Sequence, residues 1–201
     1  MDAQRVIQRI VTILIILAGA RCNSSSAGTV RIYGGELKLP LNDPTGADSA
    51  LTEAAIVIPD HLVIADLDVK ISITHTCVFD LQLILQSPDG TRICLNKYEF
   101  DEIFEGENYT GTIFDDEAKL LIDDAAPPFT GLFRPEEGNL LRIYDGRDAY
   151  GTWVVQIYDM WPADTGTLDE LELIFTEIPE PASAVIFGLG SLLFAIRRRC
   201  K

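Results

Sequence analysis

Basic residues are scarce in the body of this chain. Six of the 16 Lys+Arg lie in its first ten and last five positions, whereas only two of the 31 Asp+Glu lie outside residues 21–178, so that stretch carries 10 basic against 29 acidic residues, a net −19. A surface of that sign repels nucleic acid and anionic lipid, which excludes nucleic acid as a partner at modest salt. An acidic, solubilising shell, or attraction for cations, is what remains. Histidine is limited to His61 and His75. No serine sits in a G-x-S-x-G elbow, there is no Gly-rich phosphate loop and no EF-hand spacing, and long amphipathic helical patterns are missing. Cysteine is sparse too: of four, Cys22 and Cys200 lie near the ends and only Cys77 and Cys94 fall in the body.

Hydrophobic runs are present only at the two ends. Arg5 and Arg9 precede the apolar residues 10–17, and Ala18-Gly19-Ala20 follows. A positive start, a short apolar core and a small-x-small site predict a secretory signal peptide over residues 1–20, read by signal peptidase at Ala18 and Ala20. The run is too short for a stable span. A lipoprotein reading of Cys22 is weakened by Arg21, which stands where a small residue is expected. Residues 21–28, with NSSSAG, read as a flexible linker. At the other end, Pro179-Glu180-Pro181 precedes the apolar residues 182–196 and the cluster Arg197, Arg198, Arg199, Cys200 and Lys201. As a helix those apolar residues span about 22 Å, somewhat less than a hydrocarbon core, so flanking residues must snorkel. The arginines hold that end on the cytoplasmic side, leaving the preceding body outside. This order resembles the PEP-CTERM sorting signal over residues 177–201. The resemblance implies recognition of Pro179, Glu180 and Pro181 by the membrane protease exosortase, a membrane-anchored stage through the C-terminal helix, and a final location at the cell envelope or surface.

About 150 residues remain, enough for one domain and too few for two. Their periodicity is that of strands. Val63, Ala65, Leu67, Val69, Ile71 and Ile73 alternate with Asp66, Asp68, Lys70, Ser72 and Thr74, which predicts a half-buried strand. Phe79, Leu81, Leu83 and Leu85 repeat the pattern, and Ser87-Pro88-Asp89-Gly90 predicts a turn before Arg92, Ile93, Cys94 and Leu95, hence a hairpin. Residues 152–158 and 167–175 flank a turn-rich stretch and are expected to form a second hairpin. Short strands separated by Gly, Pro and Asp argue for an all-β, antiparallel sandwich whose first and last strands pair.

The segments around Thr74-His75-Thr76, Phe79-Asp80-Leu81, Ser87-Pro88-Asp89-Gly90-Thr91, Phe114-Asp115-Asp116-Glu117-Ala118, Pro128-Phe129-Thr130-Gly131 and Gly151-Thr152-Trp153, in that order, are similar to the P domain, or Homo B domain, of proprotein convertases. The resemblance covers most of residues 29–176. It implies a jelly-roll, galactose-binding-like β-sandwich of about eight strands, a module that elsewhere stabilises a neighbouring subtilisin-like serine protease and tunes its calcium and pH dependence. It also implies a structural hydrogen bond for His75.

Nucleophilic catalysis needs a serine, a base and an orienting group. His61 and His75 are the two possible bases, and the subtilisin-type G-T-S-M-A segment is missing. No catalytic residue is therefore assigned, and the chain is expected not to be an enzyme. Calcium takes six to eight oxygens, and Asp80, Asp115 and Asp116 are the best candidate donors, although carboxylates in turns also cap backbone N–H groups. A Cys77–Cys94 disulfide would need a bulge, because Cys77 keeps the apolar parity and Cys94 does not; two partly buried thiols are the alternative. Trp153 shares the parity of Val155 and Ile157 and is expected in the core, leaving Trp161 as the candidate exposed aromatic. Three functions fit: a non-catalytic envelope module with extracellular polysaccharide as a partner, an accessory module for a subtilisin-like protease acting in trans, and, weakest, a stand-alone hydrolase.

Overall fold

The computed structural model describes residues 28–45, 48–98 and 106–178. The expected signal peptide, nearly all of the expected linker and the tail from residue 179, with Ala18, Ala20, Pro179, Glu180, Pro181 and the terminal arginines, lie outside the described residues. Among the described residues no helix is long and apolar enough to cross a membrane.

Nine strands follow one another among the described residues: β1 (Thr29–Pro40), β2 (Ala50–Ile58), β3 (Ile64–His75), β4 (Leu81–Gln86), β5 (Arg92–Asn96), β6 (Tyr109–Phe114), β7 (Phe129–Phe133), β8 (Gly151–Asp159) and β9 (Gly166–Glu177). They form two sheets, in the orders β1-β9-β3-β6-β7 and β2-β8-β4-β5. The first and last strands pair, from Thr29 opposite Glu177 to Pro40 opposite Thr167. Leu67, Val69, Ile71 and Ile73 of β3 point inward, as do Leu81, Leu83 and Leu85 of β4 and Trp153, Val155 and Ile157 of β8. Alternation thus becomes burial: each strand gives one face to a shared core. Trp153 lies 5.5 Å from Phe175, ring centre to ring centre, which joins the two sheets through the middle.

The β4–β5 hairpin closes through Ser87-Pro88-Asp89-Gly90, where the Gly90 N–H donates to the Ser87 carbonyl at 2.9 Å and the Ser87 N–H to that of Thr91. Four expectations need correction. β8 and β9 do not form a hairpin: β8 pairs with β2 and β4, while β9 pairs with β1 and β3. Both strands have one apolar face, and these faces meet across the core, so the stretch between them crosses from sheet to sheet. The alternation of β3 slips at its start: Ile64 is buried and Val63 is exposed, because the register with β9 shifts between Ile64 and Asp66. Phe79 belongs to a 3-10 turn (Val78–Asp80) in which Val78 takes the buried place. The sandwich is also not wholly antiparallel, since β6 and β7 run parallel.

Close approach of the strands dictates two glycines. At Gly34, with φ of +113°, a Cβ would stand 2.1 Å from the Leu171 carbonyl oxygen. At Gly166 it would stand 2.4 Å from Cδ2 of His75, so this position has no side chain because the histidine ring fills the space.

Candidate functional site

Strands β3, β4 and β8 each run the length of the sandwich and deliver residues to both ends. One end gathers the close of β3, the 78–80 turn and the β8–β9 crossing. The other gathers the β2–β3 loop, the β4–β5 turn and the segment leading into β8.

At the first end His75 and Asp159 both occupy inward positions. Their side chains are 0% and 2% exposed, and Nε2 of the ring lies 3.4 Å from Oδ2 of Asp159. The other ring nitrogen, Nδ1, lies 2.7 Å from the Cys77 carbonyl oxygen. The Cys77 N–H also lies 3.2 Å from Nδ1, so that nitrogen meets a donor as well as an acceptor, while Nε2 meets the carboxylate. Burial opposes charge on the ring, but the hydrogen bond and charge of Asp159 outweigh it and hold the His75 pKa above its ordinary value. Asp159 also accepts from the Trp161 N–H, at 3.2 Å.

Beside this pair, Cys77, Asp80 and Asp164 can bring three donor atoms within 4.8 Å of one another. Burial, reinforced by Asp164 and Asp159, pushes Asp80 up to about 6. Burial, helped by the Asp80 charge, raises the Cys77 thiol as well. A thiol with two carboxylates is a poor match for calcium, which prefers six or more hard oxygens, and a closer one for a borderline metal.

Asp80 is not brought together with Asp115 and Asp116. Those two lie near Asp66 and Asp68 at the start of β3, and seven residues of extended strand separate Asp68 from His75, roughly 23 Å. Asp116 is occupied by capping: its oxygens accept from the N–H groups of Leu141 and Arg142 at 3.0 and 2.9 Å. Asp115 accepts from the Glu117 N–H at 2.6 Å. A residue the sequence reading passed over is more telling. Asp68, on the outer face of β3, has a buried Oδ1 without a hydrogen-bond partner. Burial, reinforced by Asp66, Asp115, Glu117 and Asp116, lifts it to about 7. Among the described residues these carboxylates do not gather as a metal-holding group, and a proton on Asp68 relieves the buried charge.

At the second end a cavity of about 380 Å³ is lined by Ser87, Pro88, Asp89, Tyr144, Arg147, Asp148, Tyr150 and Trp153. Asp116 caps the 3-10 turn (Leu141–Tyr144) that carries the chain into this lining. Arg147 donates from Nη1 to Oδ2 of Asp89 at 2.7 Å and to Oγ1 of Thr91 at 2.8 Å, and its guanidinium carbon sits 5.9 Å from the Tyr144 ring centre. Asp148 is held on both oxygens: Oδ1 accepts the Tyr150 N–H at 3.0 Å, and Oδ2 lies 2.6 Å from Nδ1 of His61. His61 in turn stacks on Tyr150, 4.2 Å between centres and 15° between planes. Hydrogen bonds hold the Asp89 carboxyl below its ordinary range, the Ser87 hydroxyl first. His61 does so for Asp148.

Among the described residues neither histidine has a serine hydroxyl as a hydrogen-bond partner. Cys77 and Cys94 are free thiols, so the disulfide is not formed. Trp153 is buried and donates Nε1–H to the Ala149 carbonyl at 2.8 Å, whereas Trp161 is exposed and pairs with the Tyr98 hydroxyl.

Residues 64–175 match the Proprotein convertase P-domain and residues 177–199 the PEP-CTERM protein-sorting motif. No curated protein matches the chain. Similar solved structures include the Aeromonas sobria serine protease in complex with its chaperone ORF2, at 16% identity and a TM-score of 0.44, over 83% of this chain and 29% of that one. The same protease alone gives 17% and 0.40, over 84% and 30%. Infectious bursal disease virus, Gx strain, gives 11% and 0.36, over 78% and 37%. This chain therefore spans less than a third of the length of the proteases it resembles. The sorting motif indicates an exosortase-sorted cell-surface protein. With more than half of its length matched in one continuous stretch, the chain belongs to the proprotein convertase P-domain family and carries a PEP-CTERM sorting motif directly after the domain.

Proposed function

We propose that this protein is a non-catalytic P-domain module, exported through its signal peptide and displayed at the cell envelope through exosortase. The observation that carries this reading is position: β9 ends at Glu177 and the sorting motif begins there. A domain passed straight to a sorting tail is displayed as a unit. Jelly-roll winding of the two sheets, a membrane-spanning stage through residues 182–196 and cleavage by signal peptidase belong to the same reading. Absence of catalysis is supported by how the histidines are used. His75 is sealed from substrate, and among the described residues exposed His61 has Asp148 but no serine hydroxyl as a hydrogen-bond partner, so the nucleophile that such a pair would activate is missing there. Family membership favours a second reading, an accessory module acting in trans on a subtilisin-like protease.

Deletion of residues 179–201 tests the first reading in a host that carries exosortase. Surface labelling of intact cells is expected to fall to background while the truncated protein appears in the medium. Undiminished surface labelling rules out tail-directed display. Co-purification of a serine protease with the full chain from envelope extract would instead select the accessory reading.

A further inference from the structure

We propose that the cavity beside Tyr150 and Arg147 is a binding site for one unit of a neutral saccharide, a ring with adjacent hydroxyls and an apolar C–H face. The proposal rests on the reading of the module as non-catalytic and displayed, and adds its ligand class. At about 380 Å³ the cavity has ring-sized room and falls within the range of small-molecule sites. Its aromatic wall is Tyr150, 52% exposed. His61 lies outside the lining yet stacks on that ring, so the wall is braced. A flat, braced ring offers dispersion contact to a C–H face at little entropic cost.

The polar groups suit hydroxyls. Asp89, Asp148 and Arg147 are each fixed by neighbours and still 56%, 51% and 39% exposed in their side chains. Both bonds from Arg147 run through Nη1, so the protons on Nη2 and Nε make no bond among the described residues. Each carboxylate keeps lone pairs beyond those already used. Donors and acceptors lie side by side, as a pair of adjacent hydroxyls requires.

Charge selects against other ligands. A cation would face Arg147 in the lining. An anion would face Asp89 and Asp148 on a body of net −19. The same carboxylates argue against cleavage, because both are held ionised and neither supplies the proton that a glycosidic leaving group needs. Trp161, also exposed among the described residues, is at the opposite end and plays no part.

Affinity electrophoresis of the full chain in mild detergent tests this, through gels containing galactomannan or dextran as neutral polymers and alginate as an acidic one. Retardation is expected in at least one neutral polymer and not in alginate. Tyr150→Ala and Asp148→Asn are each expected to weaken it at least tenfold, with circular dichroism unchanged. Migration unaffected by both neutral polymers overturns the proposal, as does preference for alginate or undiminished retardation of both variants. Surface labelling is read separately, so failure here leaves the displayed module standing, and failure of display leaves the cavity's ligand class standing.

Discussion

Each end of the sandwich holds one histidine paired with one aspartate, and the two pairs have opposite fates. His75 and Asp159 are shut in at 0% and 2% side-chain exposure, whereas His61 and Asp148 stand at 71% and 51%. A buried pair has exchanged water for a single partner, so the loss of either member strands a charge. An exposed pair retains its water and contributes little to stability. On the saccharide proposal, it holds Tyr150 and Asp148 in place for a ligand arriving from solution. The first end therefore serves the fold, and the second is available for recognition.

The largest effect expected from this contrast is at His75. His75→Ala leaves Asp159 buried with only the Trp161 N–H, and should lower unfolding free energy by about 3–5 kcal/mol. Denaturant unfolding measures it; a loss under about 1 kcal/mol would mean that the pair does not hold this end closed. The pH dependence has a definite sign. The His75 pKa is raised on folding, so its stabilisation is complete below the ordinary value of 6.5 and fades as pH rises through the folded value. The share of the loss due to His75 charge should therefore be larger just below pH 6.5 than at alkaline pH.

A smaller effect belongs to Asp68, between the ends. Its carboxyl titrates near 7 in the folded chain against 3.8 when free. The folded state thus holds a proton that the unfolded chain has released. Stability falls as pH rises between those values. Asp68→Asn removes the charge and should raise the thermal midpoint at pH 8 by about 2–4 °C, with little change at pH 4. Scanning calorimetry at both values decides it. An equal shift at both would assign the effect to packing.

The parity of the buried pair was legible in the sequence. His75 continues the inward parity of Val69, Ile71 and Ile73, and Asp159 that of Trp153, Val155 and Ile157. That the two meet was not legible, because parity does not say which strand ends are neighbours; the family resemblance implied only a structural hydrogen bond for His75. The core position of Trp153, the Ser87–Gly90 turn and the pairing of first and last strands were legible for similarly local reasons. Asp68 was not. It sits on the wet parity of β3, and of the charges that reinforce its shift those of Asp115, Asp116 and Glu117 come from a distant stretch of sequence. The β8–β9 crossing was illegible too, because alternation states which face is apolar but not which sheet a strand joins. The cavity draws on the β4–β5 turn and on the segment leading into β8, distant from each other in sequence, and no spacing in either announces it.

The smallest stability effect, and the one that most sharpens the contrast, is expected at His61. His61→Ala should change unfolding free energy by no more than about 0.5 kcal/mol, since it removes a solvated hydrogen bond and a surface stack. Its consequences are local. The Asp148 carboxyl loses the hydrogen bond chiefly responsible for its low pKa and should titrate closer to 3.8, which NMR of the side-chain carboxyl can follow. Tyr150 loses its brace, so retardation in neutral polymer should weaken, though less than in Tyr150→Ala, because the ring itself remains. If His61→Ala instead destabilises the chain as much as His75→Ala does, the second end is also part of the fold's support. The division between a structural end and a recognition end would then fail.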